Sequence, residues 1–159
     1  MIESLFATQV YGADLNLDVK TMIPECYRIQ QTTESEKQSN QGGFQSKHIT
    51  PQKYKHPLFH NPHVHLGSFF SGAYYIKASE MTLGFENPNK LTPYAWHYHK
   101  KYFHDSATTA ETCFCETIAN RIYIFPCWLT HFVLPNRTKE DRISISFDVT
   151  IPENTFVGH

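Results

Sequence analysis

The sequence predicts a mainly β protein, a sandwich or barrel with one short N-terminal helix. Three observations carry this expectation. From Ser68 onward the chain divides into short segments rich in aromatic and β-branched residues, each closed by turn formers, which suits many short antiparallel strands rather than a βαβ order. Residues 142–149 alternate strictly: Arg142, Ser144, Ser146 and Asp148 fall on one face, and Ile143, Ile145, Phe147 and Val149 on the other. Helical spacing is seen in Val19, Met22, Ile23 and Cys26, near the start of the chain.

In chain order, residues 5–12 read as a short strand ending at Gly12. Residues 17–29 follow as the amphipathic helix, with Pro24 inside it expected to kink or shorten it. Residues 30–43 are polar and read as a surface connection. Residues 71–77 and 81–85 are strands, the second closed by the turn signal Asn87-Pro88-Asn89. Residues 86–119 read as a long irregular insertion holding Trp96, His97, His99, Lys100, Lys101 and His104. Residues 121–125 and 128–134 are strands with Trp128 in the core, Pro135-Asn136-Arg137-Thr138 is a turn, and 142–149 is the last strand. No internal repeat or second domain is evident, so a single domain over 1–159 is expected.

Composition excludes several classes of function. The formal net charge is −1, which argues against a bulk electrostatic grip on nucleic acid or an anionic membrane. No apolar run approaches the roughly 18 residues a membrane span needs. The start, Met1-Ile2-Glu3-Ser4-Leu5-Phe6, lacks the basic and apolar regions of a secretory signal. Cys26, Cys113, Cys115 and Cys127 form no CxxC pair and read as free thiols of a cytoplasmic protein. Ten histidines and 14% aromatic residues suit a β-rich chain with a metal-binding cavity.

Two stretches carry the chemistry. One is Asn61-Pro62-His63-Val64-His65, followed by Tyr74-Tyr75-Ile76; the other is Phe125-Pro126-Cys127-Trp128-Leu129-Thr130-His131, followed by Arg142-Ile143-Ser144. His63 and His65, two apart, point to one side of a strand and can share one metal ion. With His131 they make an open-sided site of the facial type, two ligands from one segment and one from another. If His131 pairs across a hairpin with Ser144, then His131, Arg142 and Ser144 share one face. Arg142 would then stand roughly 7 Å along the strand, ready to hold a carboxylate with its guanidinium fork. The bland reading of each histidine alone is a packed or solvated side chain; the ordered set favours the metal. His97 and His99 form a competing pair, read as a solvated lid segment because no strand preorganises them.

These motifs resemble the 2-oxoglutarate/Fe(II)-dependent oxygenase superfamily, and within it a family of small oxygenases from marine bacteria and phages. The resembling pieces are Leu5-Phe6-Ala7-Thr8-Gln9-Val10-Tyr11, Gly42-Gly43-Phe44-Gln45-Ser46, His63-Val64-His65, Ser71-Gly72-Ala73-Tyr74-Tyr75-Ile76, Asn87-Pro88, and most specifically the block from Ile124 to Asp148. The resemblance implies a double-stranded β-helix, a cupin-like jelly roll, with iron at the cavity mouth. It implies Fe(II) and 2-oxoglutarate as cofactor and co-substrate, with O2 and an unidentified substrate. His63 and His131 look like iron ligands, and His65 takes the place where the superfamily usually has Asp or Glu. Arg142, with Ser144 beside it, looks like the group that binds the distal carboxylate of 2-oxoglutarate, and Tyr75 looks like a tyrosine that reaches the same carboxylate. Asn120 stands at a turn where relatives tend to have glycine, and the stretch between Ser46 and Asn61 is shorter than in relatives. The expected activity is hydroxylation, in the cytoplasm of the cell or of a phage host. The alternatives are a three-histidine cupin-type metal dioxygenase that does not use 2-oxoglutarate, and a non-catalytic jelly-roll binding module. Exposed sheet edges make a homodimer possible.

Overall fold

The structure, a computed structural model, describes residues 7–32, 44–46, 60–91 and 110–150. The elements run β1 (Tyr11–Asp14), α1 (Val19–Thr32), β2 (Phe44–Ser46), β3 (His60–His63), β4 (Phe70–Lys77), β5 (Ser79–Glu86), β6 (Thr112–Ile118), β7 (Arg121–Pro126), β8 (His131–Val133) and β9 (Ile143–Val149). They form two antiparallel sheets, a major one in the order β1-β7-β4-β9-β2 and a minor one in the order β3-β8-β5-β6. The chain is a jelly roll: sequence-adjacent strands cross between sheets, so β8 and β9 lie in different layers.

The alternation of the strands sorts the side chains into two cores. On the inner face, Tyr75, Tyr123 and Phe125 of the major sheet meet Leu83 and Phe85 of the minor sheet, with Leu129 from the turn before β8. The Phe85 and Phe125 rings pack edge to face at 5.0 Å. On the outer face, Tyr74 and Ile76 of β4 and Ile143 of β9 cover Cys26 of α1, with Val19, Met22 and Ile23 packed around them. Each such fully buried Ile, Leu or Phe side chain contributes roughly 1.5–3 kcal/mol.

The helix begins where its sequence supplies a cap. Asp18 accepts the Lys20 amide on its side chain at 3.2 Å. Pro24 removes one backbone donor, yet α1 continues through it to Thr32, three residues past the expected end, because the apolar stripe is held by the sheet. Asn120, in the turn between β6 and β7, has φ 71°, the left-handed conformation expected of a residue standing in for glycine. Its amide side chain also ties the molecule together: Oδ1 accepts the Leu17 amide at 2.9 Å and the Tyr74 hydroxyl at 2.7 Å.

Several expectations are corrected. The first strand begins at Tyr11 rather than near residue 5, and Gly12 lies within it opposite Tyr123. A Cβ there would come 2.9 Å from the Tyr123 ring, so the glycine serves close approach rather than a turn. The insertion at 86–119 contains β6, whose Cys113, Cys115 and Thr117 turn inward while Thr112, Phe114 and Glu116 are exposed. The strand expected over 128–134 is only three residues long, and Trp128 sits in the preceding turn, 53% exposed rather than in the core. His97, His99 and the stretch between Ser46 and Asn61 lie outside the described residues apart from His60.

Candidate metal centre

A cavity of about 100 Å³ opens between the two sheets. At the roughly 30 Å³ that a water occupies in the liquid, it has room for about three waters. His60, His63, His65 and His131 line it from the minor-sheet side, and Tyr75, Arg142, Ser144 and Asp148 from the major-sheet side. All six residues singled out from the sequence thus face one space.

Three histidines converge at one end. His63 closes β3 and is the direct cross-strand partner of His131 on β8; His65 follows two residues later. The ring centroids are 4.3 Å apart for His63 and His131, and 5.1 Å for each pair that includes His65. One nitrogen from each ring lies within 4.8 Å of the others. The second nitrogens are engaged. His63 Nδ1 meets the Asn61 carbonyl at 2.7 Å, His131 Nδ1 meets the Leu129 carbonyl at 3.0 Å, and His65 Nδ1 meets an Asp148 carboxylate oxygen at 3.0 Å. Each contact calls for a proton on Nδ1, which leaves the Nε2 lone pairs of all three rings for a metal. The donor set therefore fits a divalent transition ion with coordination positions left open.

His131 is the buried member, packed against Phe125 at 4.6 Å between ring centroids. Burial pushes its pKa from 6.5 down to about 4, assisted by the nearby His63 and His65 and opposed by the Leu129 carbonyl and Asp148. The imidazole is thus neutral at physiological pH, the form that binds metal. Because the folded-state pKa lies below the unfolded one, its contribution to stability is complete above pH 6.5 and is lost as pH falls towards 4. The metal-free protein is expected to lose on the order of 3 kcal/mol over that interval from this group alone. Urea unfolding of metal-free protein between pH 7 and 4.5 measures it; a flat profile would contradict the assignment of a buried neutral His131.

At the other end stands Arg142. It does not belong to the strand pair assumed from the sequence. β8 pairs with β3 and β5, whereas β9 pairs with β4 and β2, so His131 faces His63 and Phe85, and Ser144 faces Tyr75 and Gln45. Arg142 immediately precedes β9 and enters the cavity from the sheet opposite the histidines. Its guanidinium donates to the Leu134 carbonyl at 3.0 Å, and no carboxylate among the described residues forms an ion pair with it. Burial lowers its pKa, with the charges of Tyr75 and Glu80 acting in the opposite direction. It remains a cation. Tyr75, 2% exposed, has its phenol pushed well up by burial and lies within electrostatic range of Arg142.

Two cavity residues escaped the sequence reading. Ordinary alternation places His60 and His63 on opposite faces, but a register irregularity between them turns both towards the cavity, 6.0 Å apart. Burial lowers the pKa of His60, as do the charges of His63 and Arg142, which places it between the two ends of the site. Asp148 was visible as part of the alternating polar face, but nothing in the sequence joins it to His65.

Residues 51–148 match the protein family described as "Putative 2OG-Fe(II) oxygenase". The chain belongs to this family. Its cofactors are accordingly Fe(II) and 2-oxoglutarate, and the three-histidine group is a site that could bind the iron. Solved structures share the fold. One is the non-haem α-ketoglutarate-dependent epimerase SnoN from nogalamycin biosynthesis, with TM-score 0.60 and 12% identity, covering 87% of this chain and 77% of that one. Another is a Pseudomonas putida prolyl-4-hydroxylase, with TM-score 0.57 and 13% identity, covering 91% and 89%. No curated protein gives a significant match. No helix of the described residues is long and apolar enough to cross a membrane.

Proposed function

We propose that the chain is an Fe(II)/2-oxoglutarate-dependent dioxygenase that hydroxylates a substrate not yet identified. His63, His65 and His131 hold the iron, and Arg142, Ser144 and Tyr75 hold the 2-oxoglutarate. The observation that supports this reading best is the pairing of a three-imidazole cluster with a guanidinium that has no described carboxylate partner, across one small cavity. A cation so placed favours an anion between itself and the metal, and a diacid with one carboxylate at each end satisfies both. Iron and 2-oxoglutarate together supply the oxidising chemistry with O2.

The protein's own work in this reading is positioning. Arg142 offers a two-pronged donor fork that fixes the distal carboxylate in one orientation. The Ser144 hydroxyl, buried beside it, adds a donor, and the Tyr75 phenol, held neutral by its burial, adds another. Phe125 and Leu83 form the apolar wall that excludes water between the two ends.

The test is anaerobic. Protein purified without oxygen and supplied with Fe(II) is expected to hold one iron per chain and to develop a weak visible charge-transfer band when 2-oxoglutarate is added. Iron without the band would transfer the assignment to a three-histidine dioxygenase with another co-substrate, in which Arg142 binds the substrate's carboxylate. No iron would leave a binding module on a jelly-roll frame.

A further inference from the structure

His65 differs from the other two histidines in what holds it. His63 and His131 rest their Nδ1 atoms against neutral backbone carbonyls two residues away in sequence. His65 Nδ1 instead meets the carboxylate of Asp148, 83 residues further along and on the opposite sheet, at 3.0 Å. That carboxylate is itself fixed. Ser71, 1% exposed, donates its hydroxyl to Asp148 Oδ1 at 2.6 Å. Ser71 and Asp148 are direct cross-strand partners on β4 and β9. Burial pushes the Asp148 carboxyl up, and the hydrogen bonds from Ser71 and His65 outweigh it and hold the pKa below the usual value.

We propose that Asp148 is a positioning residue of the metal centre, one that acts through His65 to supply the negative charge that three neutral imidazoles lack. The inference rests on the iron-binding reading above and extends it. A facial site of two histidines and a carboxylate carries one anionic ligand against the charge of the metal. Here the three ligands are all imidazoles, and the anion stands one hydrogen bond behind one of them. A carboxylate on Nδ1–H draws the proton towards itself, makes Nε2 a stronger donor and fixes the tautomer and the ring orientation. The Ser71–Asp148–His65 chain spans from the major sheet to the minor one, so it also sets where His65 stands relative to His63 and His131.

The experiment compares wild type with Asp148→Asn, which keeps shape and a hydrogen-bonding oxygen but removes the charge. Fe(II) affinity is measured anaerobically by competition with a chelator, the 2-oxoglutarate charge-transfer band by absorbance, and folding by thermal unfolding of the metal-free forms. Asp148→Asn is expected to unfold with the same cooperativity, to bind Fe(II) about 10–100-fold more weakly, and to shift the band to shorter wavelength, because a less electron-rich iron gives up charge less readily. Ser71→Ala, which keeps the charge but frees the carboxylate, should weaken iron binding less and leave the band near its wild-type position. Wild-type affinity and an unmoved band in Asp148→Asn would overturn the proposal. Complete loss of iron from Asp148→Asn would also overturn it, by making Asp148 a direct ligand. Wild type that holds iron without a 2-oxoglutarate band would sink the oxygenase reading, while the affinity comparison would still decide the role of Asp148. Wild type that holds no iron would overturn both.

Discussion

Arg142→Ala is expected to lose 2-oxoglutarate while retaining iron. Removing one partner of a buried, hydrogen-bonded charge pair costs on the order of 2–5 kcal/mol, which is roughly 30-fold to several thousand-fold in affinity. The guanidinium meets the cavity from the major sheet, away from the histidines, so the metal end should be untouched. Arg142→Lys should recover only part of the loss, since an ammonium is a point charge and cannot offer the fork. Titration of the Fe(II) protein with 2-oxoglutarate reads the effect, and metal content reads the control. Equal loss of iron and 2-oxoglutarate would mean that Arg142 supports the fold rather than the ligand.

His131→Ala should have the reverse signature. With one of three ligands gone, iron retention is expected to fall by more than the roughly 10–100-fold that changes behind a ligand cost. The 2-oxoglutarate band should disappear because it requires the metal. The ring also fills space between Phe85 and Phe125, so the metal-free variant is expected to be less stable than wild type. His60→Ala is the comparison that separates binding from packing: it removes another cavity imidazole that lies outside the three-residue cluster. It should keep its iron. A His131→Ala protein that folds and still carries stoichiometric iron would remove His131 from the ligand set.

Much of the candidate site was legible because its parts are local. His63 and His65 lie two apart, so any extended backbone brings them together. The polar face of Arg142, Ser144 and Asp148 announces itself by period-two alternation, and the structure gives its apolar complement, Ile143 and Ile145, to α1. What the sequence did not reveal is partnership across layers. A hairpin between His131 and Ser144 is the shortest connection, yet the jelly roll sends β8 and β9 to different sheets, and the same residues reach one cavity from opposite walls. His60 was missed because a register irregularity breaks the alternation on which a strand reading depends. β6 was missed because its inward side is Cys113, Cys115 and Thr117, too small and polar to announce a buried face. Trp128 was misplaced because size and hydrophobicity suggested a core, while the turn after β7 directs it outward.

The placement of histidines on one sheet and arginine on the other gives the jelly roll the character of a gauge. In the reading proposed above, neither leaf of the sandwich recognises the diacid alone. The separation of the leaves, set by Leu83, Phe85, Tyr123 and Phe125 between them, would be the yardstick against which the length of the molecule is read. On that reading, selection for a diacid of a given chain length would be written into the hydrophobic core, at residues that need never touch either carboxylate.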